Sequence, residues 1–169
     1  TNDLEIVYDE KSGISLADRK QNEQITSKLY KMNQELAYLV FEMDELTKMA
    51  EEAKGKSKEG ARAATPFISE TAKLKETLVV MKGDNYVGAA EPQLREKLSL
   101  LYSKVASSFY VPSKAELDNM EALEGRFNSG KSDFKKIKEK HLPKINRVLF
   151  KDKVQPVMIK TYEEFLKMP

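Results

Sequence analysis

The chain has 169 residues, no cysteine, 33% charged residues and a formal net charge of +2. Without cysteine there is no disulfide, thiolate metal site or thiol nucleophile, and so small a net charge names no polyanionic partner. The length suits one domain that buries roughly 70% of its unfolded surface without a covalent or metal staple, and no apolar run approaches the roughly 20 residues that cross a bilayer.

Residues 1–14 are expected to be an extended segment, the tail or junction of an upstream domain. The chain opens Thr-Asn-Asp rather than with methionine, no secretory leader is visible, and Leu4-Glu5-Ile6-Val7-Tyr8 alternates like a strand with no partner. Leu4, Ile6 and Tyr8 are the candidate junction residues. Residues 15–169 are expected to form the helical domain.

Helix one is predicted from Ser15, with Asp18 three residues on as in a capping box, to about Lys54, where Gly55, Ser57 and Gly60 break it. Its apolar residues are Ile25, Leu29, Met32, Leu36, Leu39, Met43, Leu46, Ala50 and Ala53. Steps of four and three alternate without a slip, which is the a/d seam of a helix packed lengthwise on others. Helix two carries Ala64, Phe67, Thr71, Leu74, Leu78 and Met81 on one stripe, with Gly83 as its stop. Its start has two readings: Thr65 caps it with Pro66 at the first helical position, or an earlier helix from Ser57 carries Pro66 inside it.

Helix three is predicted from about Pro92 to Ser108, with Leu94, Leu98, Leu101 and Val105 on one side. Helix four opens at Ser113 with Glu116 as a full capping box. Its stripe is Leu117, Met120, Leu123, Phe127, Gly130, Phe134, Ile137 and His141, and Leu142-Pro143 is expected to interrupt it before a short turn from Ile145 to Leu149. Val157 to Met168 reads as extended or mixed. Four amphipathic segments joined by short loops predict an all-α, up-down-up-down four-helix bundle with a long first helix.

Four features invite a chemical reading. Gly125-Arg126-Phe127-Asn128-Ser129-Gly130-Lys131-Ser132 fits the phosphate-loop pattern letter for letter. That chemistry needs a strand before the loop and a helix opening at its end, whereas here a capped helix precedes the motif and its stripe runs through it. The glycines are better suited to close helix approach or a local kink. His141 is the only histidine, so a di-iron bundle site is excluded, and a surface or boundary histidine is expected. The pairs Glu42/Glu45 and Glu121/Glu124 read as solvated helix faces rather than a glycosidase dyad. The bases at 131, 135, 136, 138, 140, 144, 147, 151 and 153 form a run that acids interrupt.

The charge is also unevenly spread. Residues 1–60 hold 13 acids and 9 bases, and residues 61–169 hold 14 acids and 20 bases.

Three stretches together carry a family likeness: Leu4-Glu5-Ile6-Val7-Tyr8-Asp9 before Asp18-Arg19-Lys20-Gln21; Leu94-Arg95-Glu96-Lys97-Leu98 before Val111-Pro112-Ser113; and Asp133-Phe134-Lys135-Lys136-Ile137 before Leu142-Pro143-Lys144-Ile145-Asn146. The layout resembles the C-terminal helical domain of bacterial sortilin-like, BNR-repeat proteins, often labelled glycosyl hydrolase-like, in which a β-propeller precedes the helices. It departs from that pattern at Asp9-Glu10-Lys11, where Asp-Pro-Arg is expected. The resemblance implies an exported whole protein, a propeller as partner, and hydrolase chemistry confined to the propeller, so that no catalytic residue carries over here.

The expected function is therefore a non-catalytic structural and interaction module, with no cofactor, no metal and no nucleic acid. The alternative is a free-standing helical module that offers its basic face to an anionic partner.

Overall fold

The computed structural model describes residues 11, 13–81, 90–153 and 159–168. Leu4, Ile6, Tyr8 and Gly83 lie outside them. Among the described residues the protein is all-helical, with α1 (Leu16–Lys56), α2 (Lys58–Leu78), α3 (Leu94–Ala106), α4 (Lys114–Lys151) and α5 (Tyr162–Phe165). They pack into a bundle-like arrangement around one apolar core.

Helix α1 begins where expected. Ser15 caps it, its hydroxyl accepting the Asp18 N–H at 3.0 Å. The seam is buried from Leu29 to Ala53. Gly55 does not stop the helix; Ser57, in extended conformation, ends α1 and caps α2 through the Gly60 N–H. One residue thus reverses the chain. Gly60 makes this possible, because a Cβ there would sit 1.9 Å from the Ala53 carbonyl oxygen. The earlier of the two starts for α2 is the one adopted, with Pro66 inside the helix. Helix α2 stops short of Met81 because Val79 turns extended and buries its own side chain.

Helix α4 does not break at Leu142-Pro143. It is continuous for 38 residues. Pro143 lies on the exposed face, so the helix bond it forgoes falls outside the core, while Ile145, Val148 and Leu149 continue the buried stripe beneath it. Ser113 and Glu116 form the expected capping box. The Glu116 carboxylate accepts from the Ser113 hydroxyl and N–H and is met by Lys104, which together hold its pKa down at about 2.

The helix directions depart from strict alternation. Lys28 pairs with Glu124 at 2.7 Å, Glu35 with Lys131 at 3.1 Å and Glu42 with Lys138 at 2.6 Å, each across the same sequence separation of 96. A constant separation means that α1 and α4 run parallel. Helix α2 runs against α1, since Lys75 pairs with Asp44 while Gly60 abuts Ala53. Helix α3 also runs against α1: Ser99 bonds Asn33, Tyr102 stacks on Tyr30 and Asn22 holds the Val105 carbonyl. Thus α2 and α3 point the same way, laid end to end along α1. Leu78 and Leu94 meet at their junction, beside Gly130 of α4. In cross-section the body is three-stranded, with α1 and α4 both near 60 Å long at about 1.5 Å per residue.

The seam of α1 places Lys28, Glu35 and Glu42 at successive g positions; the stripe of α4 places Glu124, Lys131 and Lys138 at successive e positions. The spacing of these pairs is that of g-to-e′ pairing between parallel helices, while the apolar seam of α1 packs chiefly on α2 and α3. This register brings Met32 level with Leu123, Leu36 with Phe127, Met43 with Phe134 and Ala50 with His141, all of them buried.

The two glycines give opposed predictions. Gly60→Ala should lower stability by about 3 kcal/mol, since backbone rather than a movable side chain blocks the new methyl. Gly125→Ala, at an exposed helical position with nothing within 4 Å of the new Cβ, should raise it by about 0.5–1 kcal/mol. Urea melts of the two variants against the parent check both signs.

Candidate functional site

The phosphate-loop-like motif lies wholly inside α4. Its amides are bonded within the helix and cannot cradle an anion. Phe127 and Gly130 face the core, and a Cβ at Gly130 would stand 2.9 Å from Leu78 Cδ2. Of the two uses expected for the motif's glycines, close helix approach is the one Gly130 shows, whereas nothing approaches a Cβ at Gly125 within 4 Å. Lys131 is paired with Glu35 and lies 5.0 Å over the Phe127 ring.

His141 is buried at 5% exposure rather than placed at the surface. The continuity of α4 keeps it on the core stripe, level with the small Ala50, and Phe67 meets its ring edge-on. Its Nε2 lies 3.2 Å from Glu70 Oε1. The hydrogen bond from Lys140, with the nearby His141 second, lowers the pKa of Glu70, although His141 Nε2 itself makes no hydrogen bond of good geometry.

The acid pairs are dispersed into ion pairs. Glu42 goes to Lys138, Glu45 to Lys48 and Glu124 to Lys28, while Glu121 is exposed. The basic run is likewise largely consumed. Lys131, Lys138, Lys140 and Lys151 meet acids of α1 and α2, and Lys135 and Lys136 meet acids of α4 itself. No group of three or more His, Asp or Glu suited to a metal ion occurs among the described residues, and no described helix is long and apolar enough to cross a membrane.

A cleft lined by aromatic rings and ion pairs lies elsewhere. Between α1 and α4, this cleft of about 340 Å³ has Leu39 and Phe134 as its floor, Tyr38 and Tyr162 as walls, and the Glu35–Lys131 and Glu42–Lys138 pairs at its rim. Sequence reasoning left its roof, α5, as extended or mixed chain. Thr161 caps that turn and Glu164 completes the box, accepting the Thr161 N–H at 2.8 Å. The spacing Thr-x-x-Glu at 161–164 is the signal that could have found it.

Tyr38 is the anchor. Its hydroxyl donates to the Lys160 carbonyl at 3.0 Å, and its ring meets Tyr162 edge-on at 5.4 Å and Phe165 at 5.5 Å. Phe165 also packs on Phe41 at 5.1 Å. Burial, then the charges of Glu42 and Glu164, raise the Tyr38 pKa.

A second residue missed in the sequence is Asn22. It occupies an a position of the α1 seam, where a polar side chain fixes register. It is buried, and its amide donates to the Tyr110 carbonyl at 2.7 Å, which ties the α3–α4 connection to α1.

Comparison with protein-family models, with curated proteins and with solved structures finds no match to this chain.

The helical state of residues 125–132 predicts that millimolar ATP with magnesium leaves the melting temperature unchanged. A bound nucleotide at 100 times its Kd would add about 2.7 kcal/mol of stability, which a thermal melt registers as a clear rise.

Proposed function

We propose that this chain is a non-catalytic structural and interaction module, a stiff helical rod that holds or spaces other protein parts. The observation that carries this reading is the ion-pair ladder Lys28–Glu124, Glu35–Lys131 and Glu42–Lys138. Two rungs, Glu35–Lys131 and Glu42–Lys138, set acids of the first part of the sequence against bases of the last, and Lys28–Glu124 pairs with the signs reversed. Charge that joins two helices along their length is charge spent on shape.

The same ladder weighs against the alternative of a basic face for an anionic partner. Six of the nine bases between 131 and 153 are paired, so a polyanion would compete with acids already in place. From the family resemblance we carry forward a β-propeller domain as the partner of Leu4, Ile6 and Tyr8, and export of the whole protein.

A charge-reversal cycle tests the reading. Lys131→Glu alone sets like charges against Glu35 and should cost about 1 kcal/mol, the upper range for an exposed pair. Adding Glu35→Lys should restore most of it. The parent chain should also show no salt-sensitive binding to heparin near physiological ionic strength. Binding that Lys131→Glu abolishes, with no change in stability, would favour the anionic-partner reading instead.

A further inference from the structure

One end of the rod differs from the rest of it in charge. Helix α1 ends at Lys56, α2 starts at Lys58 and α4 ends at Lys151. Lys151 meets Glu59 at 2.8 Å, so all three helix termini share this end. Residues 56–62 and 147–153 hold six bases, Lys56, Lys58, Arg62, Arg147, Lys151 and Lys153, against two acids, Glu59 and Asp152. That local charge of +4 exceeds the +2 of the whole chain, so the remainder is net negative. All six bases are exposed, and among the described residues only Lys151 of the six has an ion-pair partner. The Glu59 pKa is lowered by the Lys151 hydrogen bond first and by the Arg147 charge after it. Residues 154–158, outside the described ones, carry no charge.

Helix stability accounts for part of this charge. Cations in a last turn complement the helix dipole, as Lys56 does in α1 and Lys151 in α4. Lys58 does the opposite, because it opens α2, where the dipole favours an anion. Phe150 has no structural use at all. It stands in the last turn of α4, one turn on from Arg147 and next to Lys151, with 88% of its surface exposed. No other large apolar side chain among the described residues is so open.

Cations around an open aromatic ring select one kind of occupant. A soluble polyanion matches the cations alone, and near physiological ionic strength, where charge is screened over about 8 Å, so few of them give it little hold. A second copy of this end is repelled by like charge. An anionic lipid surface matches both features, since its headgroups meet the cations and its acyl boundary takes the ring. We propose that this end of the rod docks on an anionic membrane surface, with Phe150 inserted and Lys56, Lys58, Arg147 and Lys153 on the headgroups. The assignment goes beyond the rod reading and fails separately from it, because reversing the ladder charges leaves this end unaltered.

The test sediments the full chain with vesicles of phosphatidylcholine, alone or mixed with phosphatidylserine. Binding is expected to the mixed vesicles only, and should fall as salt rises. Phe150→Ala should weaken it at least about tenfold, and Lys56→Ala with Lys58→Ala about twentyfold. Lys135→Ala, at an exposed lysine about four turns back along α4, should leave it unchanged. The chain has no tryptophan, so Phe150→Trp supplies a single reporter and keeps the test valid should Phe150→Ala melt early. Its emission should shift to the blue on the mixed vesicles and be quenched by brominated acyl chains. No binding to mixed vesicles at low salt, equal binding by Phe150→Ala and the parent, or a reporter that the vesicles leave unmoved overturns the proposal. Binding of heparin or single-stranded RNA without binding of vesicles would assign this end to a soluble polyanion and overturn it as well.

Discussion

The constraint that orders this fold is that α1 and α4 lie parallel in one register, with α2 and α3 packed against both. Two helices of nearly equal length, at either end of the chain, meet through a g-to-e′ ladder with a constant separation of 96 residues. The ladder's Coulomb energy is modest, since exposed pairs are worth less than about 1 kcal/mol each. Its value is selection. A slip by one heptad would set Lys28 opposite Lys131 and Glu35 opposite Lys138, so one rung becomes repulsive and the Met–Leu, Leu–Phe and Met–Phe layers beneath are reshuffled.

A parallel outer pair forces the remainder. The chain must return along α1 between them, and it does so in two pieces. The Ser57 reversal starts the return with no loop, at the cost of a position where only glycine fits. The return then breaks between Leu78 and Leu94, where Gly130 lets α4 close on Leu78. Asn22 fastens the far end by holding the connection into α4. Small residues and one buried amide thus sit where helices must turn or touch, and large apolar side chains fill the levels between. Among the described residues, α2 and α3 pack along the buried seam of α1, and α5 packs on its outer aromatic residues Tyr38 and Phe41.

Much of this was legible in the sequence. The α1 seam, the stripe of α4 as far as His141, the Ser15 and Ser113 caps and the packing role of Gly130 follow from spacing and residue type, because periodicity reports burial directly. Direction was not legible, because a stripe looks the same whichever way its neighbour runs, and short loops favour alternation as the default. The reversed sign of charge in the two parts of the chain was the available clue, since complementary charge belongs to helices that pair. Pro143 misled because its effect depends on which face it occupies, and exposed Pro143 leaves the buried stripe uncut. His141 was expected at a surface or boundary because lysines and Pro143 flank it, although its place on the stripe pointed to the core. Helix α5 was missed because four residues cannot show a period; only its cap could.

The most direct test of the parallel register is a pair of distances. Because the chain has no cysteine, spin labels can be placed on introduced cysteines at 28 with 124, at 42 with 138, and at the crossed pairs 28 with 138 and 42 with 124. Residues 28 and 42 lie two heptads apart, about 21 Å along the helix axis. The parallel register predicts that both level pairs give short distances and both crossed pairs give distances longer by about 10 Å, roughly half of that axial step. Short distances for the crossed pairs and long ones for the level pairs would mean that α1 and α4 run antiparallel, and would contradict the account.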